Sequence, residues 1–175
     1  TYGVDHDLRT KDSLGFNYDG YVFDGWALSP TGKTVYADGG AISSNEKYRS
    51  TYDLYAVWID ETEVVARIHI DGNGGKVDGA TSYIMYLREN DTIIEPSKYY
   101  IGHTFSKWEV QDGSNWVDYP FPTVCNFEGD VYVRATWNTN TYDVVYHSND
   151  SRHLTATISV TYGAETAMTS ATTLN

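Results

Sequence analysis

The sequence predicts a mostly β protein built from tandem copies of a unit of about 80 residues. Three observations support this prediction. The chain of 175 residues holds 16 Tyr, 5 Trp, 5 Phe and 15 Gly, and aromatic residues favour pleated strands whereas glycine favours the turns between them. Several short segments alternate apolar and polar side chains, which is typical of half-buried strands. Finally, whole segments recur at a constant spacing, which indicates internal repeats.

Three pairs of similar segments define the repeat period. They are Gly20–Trp26 with Gly102–Trp108 (offset 82), Leu54–Trp58 with Val133–Trp137 (offset 79), and Thr1–Gly3 with Thr161–Gly163 (offset 160, twice 80). Ile68–Asn73 also aligns with Val144–Asn149. Because independent markers give one period of about 80 residues, we interpret them as a duplicated structural unit.

The phase of the repeat predicts three segments. If a unit opens at the strand before Asn73, residues 61–139 form a complete second repeat. Residues 1–60 are then the C-terminal part of a first repeat, and residues 140–175 the N-terminal part of a third. Three explanations stay open: a cut from a longer array, a circularly shifted boundary, or complementation of the terminal pieces between chains. The chain starts at Thr1 rather than Met, and we interpret it as a processed or excised piece.

The predicted strands follow from alternation and turn residues. Apolar side chains share one face in each of the two recurring Trp-ended segments, and Asp71–Gly75 supplies residues that tolerate positive φ, which predicts a hairpin. Helical signal is weak. The predicted elements are strands at 54–58, 66–70, 83–87, 131–137 and 155–162, with a short helix within 41–49 or around 95–100.

The Gly-x-x-Phe-x-x-Trp segments predict a bent strand and an aromatic core. Phe and Trp three residues apart cannot share one face of a regular strand, so a bulge is expected between them, for which Gly25 is suited. Aromatics that bury roughly 150–250 Å² each at about 25 cal/mol/Å² stabilise a small module by several kcal/mol. We expect the structural core to contain Phe23, Trp26, Trp58, Phe105, Trp108 and Trp137.

These segments resemble the Listeria–Bacteroides repeat family, which is close to the B repeats of internalin-type surface proteins. The resemblance rests on the Asn73–Gly75 turn, on the boxes that end at Trp26 and Trp108, and on the strand that ends at Trp58. The second unit departs from the pattern with Lys107 in the place of Gly25. The third has Ser-Asn-Asp at its turn and ends before any Trp box.

The resemblance implies tandem β-grasp-like modules of secreted or wall-attached bacterial proteins, located outside the cell at its surface or wall. Such modules serve as stalks, spacers or adhesive segments, and no catalysis or cofactor is implied. The expected partners are neighbouring repeats of the same protein, with a host or cell-wall glycan or protein, or a homopolymer of the chain, as further alternatives.

The charge balance argues against two classes of partner. With 24 acidic and 12 basic side chains the formal net charge is −12, and nucleic acids and anionic membrane surfaces require clustered Lys and Arg. No apolar run approaches the ~18 residues of a membrane span. Cys125 is the single cysteine, so no intrachain disulfide is possible.

Patterns for metal binding or catalysis are weak. Asp71–Gly75 imitates the start of a calcium loop, but Ser82 stands where the bidentate Glu is needed, so a plain hairpin is favoured. The five histidines fit no zinc or nucleophile motif, and Asp5-His6-Asp7 lacks a nucleophile to activate. We therefore expect neither a metal site nor an enzyme.

The segment 111–124 contains the strongest candidate for a binding site. Trp116 is the one tryptophan without a repeat partner, and it is followed by Asp118, Tyr119 and Phe121. Aromatic platforms beside carboxylates suit sugar binding, whereas the alternative is a loop that folds its own aromatics inward. The first hypothesis is thus a non-catalytic surface repeat acting as stalk, spacer or adhesive module. The alternatives are a carbohydrate-binding module at Trp116 and Tyr119, and a subunit that self-assembles head to tail by strand addition.

Overall fold

A computed structural model describes residues 6–42 and 51–165. Strands hold half of these described residues and helical positions only 2%, which confirms the mostly β prediction. A single 3₁₀ turn, Glu61–Glu63, is the helical element of the described residues. In chain order the strands are β1 (His6–Asp7), β2 (Tyr21–Ala27), β3 (Ala41–Ile42), β4 (Tyr55–Asp60), β5 (Ala66–Asp71), β6 (Lys76–Val77), β7 (Ser82–Leu87), β8 (Lys98–Tyr99), β9 (His103–Asp112), β10 (Asn115–Asp118), β11 (Gly129–Thr139), β12 (Thr141–His147) and β13 (Thr155–Thr161).

The central sheet has five strands in the order β10-β9-β11-β5-β7. Gly129–Arg134 of β11 runs parallel to Ala66–Asp71 of β5, and every other pair in this sheet is antiparallel. Without the short β10, the chain order across the sheet is 2-1-4-3 with the first and fourth strands parallel at the centre. This is the strand order of a β-grasp sheet. The hairpin between β5 and β7, and β7 as its return strand, confirm the sequence prediction for residues 66–87.

The core lies on one face of this sheet. Alternate residues of β5 and β11 point inward, as period-two strands require. Ile93, from the segment between β7 and β9, packs on them, and Cys125, from the segment between β10 and β11, is fully buried in the same core as a free thiol. The buried cluster comprises Ala66, Ile68, Ile70, Val77, Leu87, Ile93, Trp108, Cys125, Val133 and Ala135.

The helix predicted around residues 95–100 is wrong. Residues of this segment are extended, and Lys98–Tyr99 forms β8, which pairs with Lys76–Val77. Two causes are visible, one local and one from a different turn. Pro96 biases the preceding residue toward extended backbone, and the Asp78 carboxylate accepts hydrogen bonds from both the backbone N–H and the hydroxyl of Ser97 at 2.8 Å. Of the alternative helix at 41–49, residues 41–42 form β3 and the rest lie outside the described residues.

Both Trp boxes carry the predicted bulge. In the β2–β4 pair, Phe23 faces Trp58 and Gly25 faces Val57, so Asp24 is the extra residue. In the β9–β11 pair the register also shifts, and Ser106, the repeat equivalent of Asp24, is the extra residue. Gly25 has φ of 135°, and a Cβ there would lie 2.5 Å from the carbonyl oxygen of Tyr36. The bulge is therefore a repeated feature of the unit, with glycine required at the first copy.

The six predicted aromatics form two equivalent clusters. Phe23 contacts Trp26 with ring centroids 5.0 Å apart, and Phe105 contacts Trp108 at 5.4 Å. Phe23, Trp26 and Trp108 are buried, while Trp58, Phe105 and Trp137 are half-buried and pack on the same two clusters.

The two terminal segments contribute separate two-stranded sheets. β2 pairs with β4 as β9 pairs with β11, and β12 pairs with β13 as β5 pairs with β7. Among the described residues the terminal sheets do not join each other. Two short pairs, β1–β3 and β6–β8, complete the strand pairing.

Candidate functional site

The outer face of the central sheet forms the first candidate surface. Because Ile68, Ile70 and Val133 point into the core, the residues between them point away from it. Strand register places Ile84 beside His69, His69 beside Tyr132, and Gln111 beside Trp116. These five side chains line a groove of about 510 Å³. The groove crosses all five strands.

Aromatic contacts organise the groove. His69 stacks on Tyr132, with ring centroids 4.4 Å apart and planes 14° from parallel. The His69 ring also lies 3.1 Å from the carboxylate of Asp130 through Nε2. At the other end the Arg134 guanidinium lies over the Trp116 ring at 4.1 Å from its centroid. Such a cation–π contact restrains the indole at this end of the groove.

A charged row runs beside these aromatics. Arg134 donates from Nε and Nη2 to one carboxylate oxygen of Glu109, at 3.0 and 2.8 Å. Lys107 contacts both Glu109, at 3.3 Å, and Asp118. The Arg134 and Lys107 hydrogen bonds hold the pKa of Glu109 below its usual value, although burial opposes them. The carboxylates are thus already paired with cations before any ligand is present.

The structure separates the four residues expected to form a sugar site. Trp116 and Asp118 lie on β10 and point to the outer face, with Trp116 36% exposed. Tyr119 and Phe121 instead pack against the core cluster, where Phe121 contacts Trp108 at 5.4 Å between centroids. Burial raises the pKa of the Tyr119 hydroxyl. The outer-face pair and the core pair therefore do not share one surface.

Sequence reasoning missed His69, Gln111, Tyr132 and Arg134 as neighbours of Trp116. The alternation of residues 131–137 already placed Tyr132 and Arg134 on the face opposite the core. The sequence could not predict the parallel pairing of β5 with β11, because that pairing joins segments that are far apart in the sequence.

The polar groups of the Asp71–Gly75 turn form hydrogen bonds within the turn and to β11. The Asp71 carboxylate accepts the Asn73 backbone N–H at 2.7 Å, and the Asn73 side-chain amide donates to the carbonyl of Ala135 at 3.0 Å. The Trp137 indole donates to the Gly72 carbonyl at 2.8 Å. The Asn73 side-chain amide and the Gly72 carbonyl therefore both bind the hairpin to β11. No group of acidic, His or Cys side chains suited to a metal occurs within residues 6–42 and 51–165.

The junction between the first segment and the central sheet centres on Asp24, the bulge residue of β2. Its carboxylate accepts the Thr34 hydroxyl. Burial raises the pKa of Asp24, while the Thr34 hydroxyl and the backbone N–H of Tyr86 on β7 act in the opposite direction. The Ala37 N–H also donates to the Asp78 carbonyl at 3.5 Å. The first segment therefore contacts the outer edge of β7 through Asp24.

The junction between the central sheet and the last segment is a single residue. Asn140 separates β11 from β12. Its N–H donates to the Gly102 carbonyl and its carbonyl accepts the Tyr162 N–H, both at 2.9 Å. The His103 ring meets the edge of Tyr162 at 5.8 Å between centroids. Both backbone groups of the connecting residue are therefore fixed.

The repeated aromatic cluster, the repeated bulge and the 2-1-4-3 sheet define the class of this protein as a tandem β-repeat. Residues 3–57 match the model of the Listeria-Bacteroides repeat domain, which supports the resemblance seen in the sequence. The family is typically non-catalytic and is associated with surface proteins.

A relative in Evansella cellulosilytica carries the name "Putative Gly-rich membrane protein". It is 30% identical over 148 residues, which cover 81% of this chain. The chain spans only 17% of that protein's length. No solved structure gives a significant match. Within the described residues, no helix is long and apolar enough to cross a membrane.

Proposed function

We propose that this chain is a non-catalytic repeat segment of an extracellular, wall-attached surface protein, and that it acts as a spacer that carries an adhesive region away from the cell. Residues 61–139 are its complete unit, flanked by parts of two others. The main support for this proposal is the one-residue connector Asn140. Its N–H donates to Gly102 and its C=O accepts from Tyr162, on opposite sides of the junction. A spacer needs junctions of this kind, since a flexible linker does not maintain distance.

The first junction supports the same proposal. Lys76 lies 3.6 Å from Asp7, and Asp24 is desolvated against β7. The connector on this side is the 3₁₀ turn Glu61–Glu63, capped by the Asp60 carboxylate, which accepts the Thr62 N–H at 2.9 Å. Short, capped connectors restrict the angle between successive sheets.

Backbone NMR relaxation tests the spacer. We expect amides of β13 to report the same rotational correlation time as amides of β5 in the native chain. Insertion of Gly-Ser-Gly-Ser after Asn140 should make β13 tumble faster. The matched control is the same insertion at Gly113, where no atom lies within 4 Å of an added Cβ. Independent tumbling of β13 in the native chain would contradict the spacer proposal.

A glycan-binding role is the second candidate, and the outer-face groove favours it. Trp116 and Tyr132 are exposed, and His69 and Gln111 add hydrogen-bonding groups between them. The site proposed here is Trp116 with these three residues, and Asp118 at its rim. Tyr119 and Phe121 have no part in it because they pack on the core.

A glycan array followed by calorimetric titration tests this second role. Trp116→Ala should abolish any binding found, whereas Tyr99→Ala should leave it unchanged, because Tyr99 is 61% exposed but lies on β8, outside the groove. Absence of binding by the native chain, or equal loss in both variants, would remove the glycan role and leave the spacer as the function.

A further inference from the structure

The outer-face groove continues past the edge strand β7. On this strand Tyr83, Met85 and Leu87 pack against the core, so the residues between them point to the outer face. Ser82 and Ile84 are two of these residues, and they line both the outer-face groove and a second pocket of about 420 Å³. The two cavities therefore adjoin each other on the same face of β7.

The second pocket, the junction pocket, is the space between β7 and the first segment. Ile84 and Tyr86 line it from β7, and Tyr21 and Trp58 line it from β2 and β4. The Tyr21 ring stacks on Tyr18, with ring centroids 3.9 Å apart and planes 6° from parallel. The first segment therefore supplies an aromatic wall to a surface whose other part belongs to the central sheet.

The aromatic side chains at the two ends are separated by the full width of the central sheet. Trp116 lies on β10, at one edge, and Tyr21 lies on the far side of β7, at the other edge. Four strand spacings of about 4.8 Å place the two edges roughly 19 Å apart. A sugar ring in a linear chain takes up about one strand spacing. A disaccharide therefore covers only part of this surface, whereas a chain of six sugars can cross it.

The outer-face groove offers few charges to a ligand. Among its described lining residues Asp71 is the one carboxylate, and no Lys or Arg side chain is present. The Asp71 carboxylate accepts the Asn73 N–H at 2.7 Å, so it is engaged within its own turn. The Gln111 amide and the hydroxyls of Ser82 and Tyr132 add uncharged hydrogen-bonding groups. Aromatic rings with a few polar groups suit an uncharged ligand that is rich in hydroxyls.

The charges of the junction pocket are engaged within the protein. The Lys11 ammonium binds the Asp12 carboxylate, and the Lys11 backbone N–H donates to Asp38 at 2.8 Å. The Asp24 carboxylate accepts the Thr34 hydroxyl. An anionic ligand would meet no unpaired cation in the described lining of this pocket, and the net charge of −12 would repel it.

We infer that the outer-face groove and the junction pocket together bind one linear chain of neutral sugars, which crosses the central sheet from Trp116 to Tyr21. This inference rests on the glycan-binding role proposed above and adds the form of the ligand, a polymer rather than a terminal sugar. Sugar rings stack on the aromatic side chains at both ends. The amide and hydroxyl groups between them bind the sugar hydroxyls. A peptide that ran across the strands could not add to the sheet through backbone hydrogen bonds, so it would lose the main source of affinity in strand addition.

Calorimetric titration with oligosaccharides of two lengths tests the extent of the site. The probes are β-1,4-linked glucose, xylose and N-acetylglucosamine, each as a dimer and as a hexamer. At least one hexamer should bind the native chain at least tenfold more tightly than its own dimer. A hexamer of galacturonic acid, which is anionic, should bind at least tenfold more weakly than that neutral hexamer.

The contradicting results separate this inference from the glycan role. Equal affinity for dimer and hexamer would keep a glycan site in the groove and overturn the longer site. Tighter binding of the anionic hexamer would overturn the neutral ligand. Failure of every hexamer to bind would overturn the inference and leave the surface to a protein partner, while the glycan array still decides the glycan role itself.

Substitutions in the junction pocket test its share of the binding. Tyr21→Ala should lower the affinity for the hexamer to that for the dimer and leave the affinity for the dimer unchanged, whereas Tyr21→Phe keeps the ring and should keep the difference. The matched control is Tyr55→Ala. Tyr55 is 38% exposed and faces Ala27 at the opposite end of the β2–β4 pair, where Tyr21 faces Asp60. Equal loss in Tyr21→Ala and Tyr55→Ala, or no loss in Tyr21→Ala, would overturn the inference.

Amide chemical shifts test the path of the ligand in the native chain, without relying on the folding of a variant. The hexamer should shift amides of β10, β7 and β2 in one titration with one dissociation constant. Shifts confined to β9 and β10 would keep a glycan site at Trp116 and overturn its continuation into the junction pocket. The spacer proposal does not depend on either result, since it concerns junctions within one chain.

Discussion

At the scale of single residues, two equivalent tryptophans differ in one hydrogen bond. The Trp108 indole donates to Glu95 at 2.7 Å, whereas the buried Trp26 indole has no partner among the described residues. Replacing either by Ala should cost ~3–5 kcal/mol in the free energy of unfolding, as for other buried aromatics.

Phe replacements separate packing from hydrogen bonding. Trp108→Phe should cost about 1–2 kcal/mol more than Trp26→Phe, because only the first breaks a bond to a charged acceptor. Urea denaturation followed by circular dichroism measures both. Equal costs of the two Phe variants would contradict a stabilising hydrogen bond from Trp108 to Glu95, and near-normal stability of both Ala variants would contradict the packing described for these residues.

Asp24 makes stability depend on pH in a direction opposite to most carboxylates. Burial raises its pKa in the folded protein, so its favourable contribution is present at low pH and is lost as pH rises through the folded-state value. Asp24→Asn should therefore be more stable than the native chain near pH ~7, with the difference shrinking toward pH ~4.

The control for Asp24 is Glu128→Gln, an exposed carboxylate. Subtracting the pH profile of its unfolding free energy removes the effects of pH that are not specific to Asp24. A difference between the native chain and Asp24→Asn that stays constant between about pH 4 and 7 would show that the Asp24 carboxylate is not desolvated at the junction.

At the scale of elements, the Asp71–Gly75 turn packs closely against Trp137 of β11, and this close approach requires a glycine at position 75. A Cβ at Gly75 would lie 2.5 Å from the Trp137 ring and 2.9 Å from the Tyr99 carbonyl. We expect Gly75→Ala to displace the indole, break its bond to Gly72 and lower the free energy of unfolding by about 2–4 kcal/mol.

A double-mutant cycle checks the cause of that loss. If the clash is with the indole, Gly75→Ala should cost much less in a Trp137→Leu background than in the native chain. Additive losses would mean that the backbone, through the Tyr99 carbonyl, sets the cost.

The elements that sequence predicted are those with local causes. The spacing of Phe and Trp required a bulge, and the bulge recurs at Asp24 and Ser106. The Asn73 turn required a hairpin, and the return strand follows. Pro96 is a local signal against a helix at 95–100, but the hydrogen bonds between Ser97 and Asp78, a residue of a different turn, could not be predicted from local sequence.

Of the candidate site, Trp116 was predicted from the sequence but its neighbours were not, because they depend on contacts between distant segments. The lack of a repeat partner identified Trp116, but no local pattern distinguished its direction from that of Tyr119. The residues that surround Trp116 come from β5, β7, β9 and β11. Their meeting depends on a parallel pairing that one sequence does not reveal.

At the scale of the whole molecule, the proposed arrangement is one complete unit, residues 61–139, between parts of two others. A three- or four-stranded sheet with a covered face is independently stable, whereas a two-stranded hairpin is marginal. This difference should appear as a difference in local stability along one chain.

Native-state hydrogen exchange on the full chain tests that claim most directly. Amides of β5 and β11 should exchange at least ~100-fold more slowly than amides of β12, because only the former lie inside a complete sheet. The contradicting result is equal protection of β5 and β12. That would mean that the last segment is already complete within one chain, and that residues 61–139 are not the structural unit.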